Sequence, residues 1–386
     1  MTQLVFHIGD PKTGTSSIQR TLGVCGGLLG DSSLRPWIRV NAIGIAKALR
    51  DHGRLVKAED IENFCRWIAN AHEDYAVMSA EMMFMIHPQN LDQMVRLYCP
   101  DHAETYRVIA YVRPHAARLI SAFVQRTKTQ ELECEFGDFL GVVRNGRDFL
   151  DYCGRFGKWR SMLGDRFILR PFHRGHLRQS DVVADFFSTL VGHERFEVVS
   201  AADANVSPRL PGLAFVRLFR SELESAGVEP GQIRILCSSL ITHHITSGQQ
   251  TGPKPYLDKR TSEWLMKHYM EDAIQLDKQF FGNNIMEQEL LLTNQTEHEE
   301  PFVLSPEKWF SRAELDELRR LAQRMALLIS GGGARLWVMH NKISHRQRLL
   351  EPQIQERLKR RAIFIAKMDK LASEISQIVT NSTCGE

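Results

Sequence analysis

Two hydrophobic periods alternate along the chain. Residues 3 to 8 (QLVFHI) form a short apolar run that breaks at Gly9-Asp10-Pro11, and Thr15-Ser16-Ser17-Ile18-Gln19 then reads as a helix start. From Glu59 to Ala71 the apolar residues Ile61, Phe64, Cys65 and Ile68 share one helical face, after which Tyr75-Ala76-Val77-Met78 predicts a buried strand. A third strand spans Tyr106 to Val112; Pro114 ends its pairing, and a helix runs on from about His115 to Lys128. Arg166 to Arg170 (RFILR) gives a fourth short strand, preceded by a helix around Tyr152 to Leu163. Strands alternating with helices predict βαβ units, and so an α/β fold with a parallel sheet flanked by helices.

A composition shift falls at Thr296 to Pro301 (TEHEEP) and divides the expected organisation into a domain over 1–295 and an extension over 296–386. Residues 306 to 329 repeat apolar side chains at Leu318, Leu321, Met325 and Leu328. Residues 347 to 379 do so at Leu358, Ile365, Met368, Leu371 and Ile375. These patterns predict two amphipathic helices, with a Gly331-Gly332-Gly333 hinge and the unassigned segment RLWVMH between them. From Pro301 to Glu386 the chain carries 15 basic against 9 acidic side chains, while the preceding 300 residues carry 34 against 37. The basic excess therefore belongs to the extension. It reads first as the solvated face of helices, with peripheral docking to an anionic polymer, a membrane surface or a partner as the second reading.

Composition narrows the classes further. With 386 residues, 43% hydrophobic and 25% charged, the chain matches an ordinary globular protein rather than a disordered, collagen-like or disulfide-scaffold sequence. A net charge of +3 is too small for bulk coating of nucleic acid. No stretch has the apolar length of a membrane span, and MTQLVFHIGD lacks the pattern of a secretory leader, so the expected setting is cytoplasmic. The seven cysteines (25, 65, 99, 134, 153, 237, 384) contain no CxxC pair and read as reduced and structural. Asn-x-Ser/Thr triplets at Asn205, Asn294 and Asn381 matter only in a secreted protein.

Chemistry concentrates in Gly9-Asp10-Pro11-Lys12-Thr13-Gly14-Thr15-Ser16-Ser17, between a strand and a helix. Glycines permit close backbone approach, successive amides and the helix N-terminus supply partial positive charge, and Lys12 adds a full one. An anion fits such a loop. The Walker A pattern fails, because Thr15 stands where that pattern has lysine. This weighs against a nucleoside-triphosphate kinase.

HIGDPKTGTSSIQ resembles the phosphosulfate loop of sulfotransferases that depend on 3′-phosphoadenylyl sulfate (PAPS), in particular a bacterial, carbohydrate-type branch. A second family motif, a strand ending in arginine with a serine eight residues later, is matched by YVRPHAARLISAF, which supplies Arg113 and Ser121. The stretch from Tyr152 through Trp159 to Arg170, Pro171 and Phe172, and later GPKPYLDKR and LDKQFFG, are also similar, so the likeness covers about residues 3 to 290. Phe123 stands where many relatives carry tyrosine.

The resemblance implies a P-loop-like sulfotransferase fold, in which Pro11, Lys12, Thr13, Gly14, Thr15 and Ser16 cradle the phosphosulfate and Arg113 with Ser121 grips the 3′-phosphate. It implies sulfuryl transfer to a hydroxyl of a glycan or glycolipid sugar, with PAPS as co-substrate and no metal. Such transfer needs a cation near the bridging oxygen and a base for the acceptor proton. Lys12 fits the cation. Glu81, emerging after the strand Tyr75 to Met78, is the favoured base, with His115 second; its alternative reading is a helix-initiating carboxylate. His7, inside the first strand, reads as a core residue before a base, Trp159 as core before a stacking platform, and His243-His244 as structural. A P-loop kinase and a non-catalytic binding module are the competing classes.

Overall fold

The structure, a computed structural model, describes residues 2–25, 28–29, 32–37, 43–50, 58–129, 135–145, 149–192, 207–247, 250–295, 297–329, 333–342 and 361–382. In chain order come β1 (Gln3–Gly9), α1 (Thr15–Cys25), β2 (Leu28–Leu29), β3 (Ser32–Pro36), α2 (Ile43–Arg50), α3 (Ala58–Ala69) and β4 (Tyr75–Ala80). A 3₁₀ turn over Glu81–Met85 leads to α4 (Pro88–Tyr98), β5 (Arg107–Val112), α5 (His115–Thr129), α6 (Phe136–Asn145), α7 (Tyr152–Leu163), β6 (Phe167–Pro171) and α8 (Val182–Val191). The later elements among the described residues are helices: α9 (Leu210–Ser225), α10 (Pro230–Thr246), α11 (Lys259–Leu276), α12 (Ile285–Thr293), α13 (Pro306–Trp309), α14 (Arg312–Ile329), α15 (Gly333–Lys342) and α16 (Ala362–Asn381). The segment RLWVMH thus lies in a helix, while Gly331-Gly332 and residues 343–360 lie outside the described residues.

Two compact units emerge, each discontinuous in sequence. The first gathers Met1–Leu119, Asp148–Asn205 and Lys259–Glu297; the second gathers Ile120–Arg147, Val206–Asp258 and His298–Glu386.

The first unit is an α/β layer structure. Its sheet runs in the order β2-β3-β4-β1-β5-β6, parallel throughout except for the antiparallel two-residue β2 at one edge. β1 is central, pairing with β4 from Gln3↔Tyr75 to Ile8↔Ala80 and with β5 from Val5↔Arg107 to Gly9↔Tyr111. Covered on both faces, it reads as one apolar run rather than an alternation. On one face Val5, Val77, Ile109 and Tyr111 pack with Ile18 and Leu22 of α1 and Phe186, Phe187 and Leu190 of α8. On the other, Phe6 meets Phe64 of α3 at 6.3 Å and the edge of Tyr106 at 5.9 Å.

The second unit is helical among the described residues. Phe123 is buried with Phe136 (5.1 Å, edge-on), Phe139 and Phe302, an aromatic cluster in which a tyrosine hydroxyl would need a partner of its own. Here α9 packs on α10, α13 and α14, and α10 packs on α15 and α16.

Candidate active site

Gly9 closes β1 where a Cβ would lie 2.1 Å from Thr15 Oγ1, so any other residue there would displace the Thr15 side chain. The chain then turns through Asp10 to Gly14, where the Thr13 hydroxyl donates to the Asp10 carbonyl at 2.6 Å. Two residues take left-handed backbone, Lys12 at φ +70° and Gly14 at φ +79°. Glycine adopts that conformation freely, and a Cβ on Gly14 would also meet Val182 Cγ1 at 2.6 Å and Phe172 Cε2 at 3.2 Å. Lysine does not, and its strain costs about 1 to 2 kcal/mol. The Gly14 carbonyl accepts from the Ser17 and Ile18 amides, so α1 starts directly at the loop. The first amides of a helix have no acceptor within it and face whatever the loop holds. Beside them, Thr15 Oγ1 is buried without a hydrogen-bond partner.

Because β1 lies between β4 and β5, the C-terminal ends of three strands open side by side, and chain order reverses direction across the sheet at that point. β4 delivers Glu81 one residue past the Ile8↔Ala80 pair, and β5 delivers Arg113 two residues past the Gly9↔Tyr111 pair. Lys12, Glu81 and Arg113, separated in sequence, therefore share one sheet edge.

The charges there perturb one another. Lys12 reaches solvent, yet burial of its ammonium lowers its pKa from the ordinary lysine value; Glu81 opposes that shift, and Arg113 and Arg118 add to it. Burial likewise raises the pKa of Glu81, opposed by Lys12, reinforced by Asp10 and opposed again by Arg118. Each is the other's strongest charged neighbour, so the two form an opposed pair. Arg113 is pushed down first by burial and then by Arg118. Its guanidinium lies 4.9 Å from the Phe172 ring centroid, and among the described residues it has no hydrogen-bonded carboxylate.

The loop also carries a buried anion, which the sequence reading did not assign. Asp10 is fully buried and pairs with Arg118 Nε at 2.9 Å and Arg155 Nη1 at 3.0 Å. Arg118 lies over Phe149 at 4.8 Å and Arg155 over Phe156 at 4.5 Å, so both cations are fixed by rings as well as by the carboxylate. The one signal in the sequence was an acid inside an otherwise cationic, hydroxyl-rich loop.

The other candidates lie outside this charged cluster. His7 is buried in β1, with Nδ1 2.8 Å from Ser79 Oγ and its ring 5.0 Å from Phe186; burial lowers its pKa to about 3. His115 is buried, with Nε2 2.9 Å from Asp272 Oδ2 and its ring against Tyr152 and Tyr269. Trp159 is 1% exposed and stacked on Phe167, a core position. His244 is buried in the second unit, its pKa lowered to about 4 by burial. Ser121 is half-buried on the stretch of α5 counted with the second unit. Among the described residues no group of three or more His, Cys, Asp or Glu side chains is placed to hold a metal ion, and no helix is long and apolar enough to cross a membrane.

Comparison with protein-family models finds no match, and comparison with curated proteins finds none either. Among solved structures the chain is similar to the crystal structure of a sulfotransferase from Alicyclobacillus acidocaldarius, with 17% identity and a TM-score of 0.38, over 63% of this chain and 96% of that one.

Proposed function

We propose that the chain is a PAPS-dependent sulfotransferase that acts on a hydroxyl, of the sugar type carried by glycans and glycolipids. The observation that carries this reading is the convergence of Lys12, Glu81 and Arg113 on one sheet edge around a loop built to face an anion. The loop fits the phosphosulfate: Gly14 turns left-handed against Phe172 and Val182, and the buried Thr15 hydroxyl lacks a partner. Arg113, a half-buried cation with no bonded carboxylate among the described residues, fits the 3′-phosphate, for which the family motif implies Ser121 as a second ligand.

The bound donor supplies an activated sulfuryl group and leaves as 3′-phosphoadenosine 5′-phosphate (PAP). The chain does the rest. Lys12 and the first amides of α1 offset negative charge on the donor's bridging and terminal oxygens. Glu81 accepts the proton of the acceptor hydroxyl at a carboxylate oxygen, as the acceptor oxygen takes the sulfuryl group. Burial suits Glu81 to this, since a carboxylate with a raised pKa is a stronger base. Lys12 performs the charge-offsetting that a metal performs elsewhere, so the proposed reaction is metal-independent.

Nucleotide choice tests the reading against a P-loop kinase, which the residue after Gly14, threonine rather than lysine, already disfavours. In calorimetry without magnesium, PAP binds far more tightly than ATP. Equal affinity for the two would overturn the proposal. A non-catalytic module would bind PAP yet leave labelled PAPS intact across an acceptor screen.

A further inference from the structure

The guanidinium of Arg113 has little to hold it. Its side-chain neighbours are a ring at 4.9 Å, the like charge of Arg118 and, more weakly, Tyr152 and the Asp10 carboxylate, to none of which it is hydrogen-bonded among the described residues, so none fixes where this half-buried cation points. Its main chain, by contrast, is anchored. The Tyr152 hydroxyl donates to the Arg113 carbonyl at 2.7 Å. Pro114, next in sequence, fixes its own φ and offers no amide. His115 follows, fully buried, with its ring 4.4 Å from Tyr152 and 5.4 Å from Tyr269 and its Nε2 2.9 Å from Asp272 Oδ2.

Asp272, on α11, closes the knot. Its carboxylate accepts from the Tyr152 amide at 3.3 Å and the Cys153 amide at 2.8 Å, both in the first turn of α7, besides meeting His115 at the start of α5. One carboxylate thus sets where α7 begins relative to α5, and the tyrosine that opens α7 reaches the carbonyl of the arginine that precedes α5. Two of the three segments also carry arginines that pair with Asp10 in the anion loop, Arg118 on α5 and Arg155 on α7, and the Arg155 guanidinium lies 5.4 Å from the Tyr152 ring centroid.

We infer that Tyr152, backed by Asp272, is a positioning residue that holds Arg113 in register for the donor's 3′-phosphate, an inference that rests on the sulfotransferase reading above. Tyr152 acts through the backbone of Arg113 and needs no contact with the nucleotide. Losing the hydroxyl while keeping the ring leaves the contact with Arg155 in place, and therefore weakens only what Arg113 binds.

The test compares PAP with adenosine 5′-monophosphate, which lacks the 3′-phosphate, by calorimetry on the full chain. Tyr152→Phe keeps the ring and removes one hydrogen bond. We expect it to raise the Kd for PAP about three- to tenfold, the range of one lost hydrogen bond, while the monophosphate Kd stays unchanged. Arg113→Ala produces a larger selective loss, and adding Tyr152→Phe to it changes neither Kd further, because the arginine through which the tyrosine works is gone. Asp272→Asn, nearly isosteric, gives the same selectivity with a smaller loss and serves if the tyrosine variant does not fold.

A Tyr152→Phe or Asp272→Asn protein that weakens both nucleotides alike has a merely structural role, and one that weakens neither shows that Arg113 needs no such anchor; either overturns the inference while Arg113 keeps its assignment. If Arg113→Ala itself weakens both nucleotides equally, the 3′-phosphate assignment falls and takes the inference with it.

Discussion

The pairing of Lys12 with Glu81 makes pH the most direct probe of individual residues. Burial holds Glu81 above the usual carboxylate range, so as a base it works only above that raised value, and kcat/KM climbs with pH through a limb displaced upward from about 4.3. Lys12 is displaced the other way, so loss of its charge brings a falling limb below the ordinary lysine range. Glu81→Gln is expected to lower turnover on the order of 10² to 10⁴-fold, to leave PAP binding no weaker, and to abolish the acid limb. A pH–rate profile of that variant with the acid limb unchanged would remove Glu81 from the mechanism and return His115 to consideration. Lys12, Glu81 and Arg113 were all legible in the sequence because each follows a strand whose apolar run marks where the sheet edge must fall. Asp10 and its arginines were not. Arg118 lies 108 residues from Asp10, and an ion pair across that separation leaves no trace in local pattern. The anchoring of Arg113 by Tyr152, 39 residues on, was hidden for the same reason.

Among the elements, the loop from β1 to α1 is the most constrained, and Gly14 is where substitution tells most. Alanine there would be forced into left-handed backbone at φ +79° and would drive its Cβ to 2.6 Å from Val182 Cγ1 on α8. The conformational term alone costs more than about 1 kcal/mol, and the clash adds to it unless α8 shifts. Gly14→Ala is therefore expected to lower the urea midpoint and to weaken PAP more than its loss of stability explains, since the loop amides move with the backbone. A variant as stable and as tight-binding as the parent would show that the loop is not held in this shape. Strand, glycine break and helix start were readable here because punctuation residues act locally. β3 was not, being a five-residue strand next to the edge of the sheet with one buried position, Leu34. Nor was α9: Leu210, Leu213, Phe215, Val216 and Phe219 are buried around most of its circumference, which leaves no stripe for a helical period to reveal.

At the scale of the whole molecule, the question is whether the chain beyond residue 295 is an appendage. A boundary near 295 was expected from the composition shift at Thr296 to Pro301 and from the family likeness ending near residue 290. The compact units group the chain otherwise, since residues from His298 onward share a unit with Ile120–Arg147 and Val206–Asp258. Within that unit, the apolar stripe of α14 (Leu315, Leu318, Leu321, Met325, Ile329) is buried where α14 packs on α9 and α16. The stripe of α16 (Ile365, Met368, Leu371, Ile375, Val379) is buried too, and α10 packs against it. Polar ties reinforce the packing: Leu304 N donates to Glu135 at 3.1 Å, Thr251 Oγ1 to the Thr380 carbonyl at 2.9 Å, and Trp337 Nε1 to Asp369 at 2.8 Å. Ending the chain at 295 removes these partners and bares the faces of α9 and α10. At roughly 1.5 to 3 kcal/mol for each large side chain returned to water, a handful already matches the total stability of an ordinary domain, about 5 to 15 kcal/mol. The truncated chain is therefore expected to be insoluble, or to bind a hydrophobic dye and melt without a cooperative transition. If residues 1–295 instead purify as a monomer that melts cooperatively near the parent temperature and binds PAP with parental affinity, the helices beyond 295 are an independent extension, and their basic surplus becomes free to serve a partner of its own.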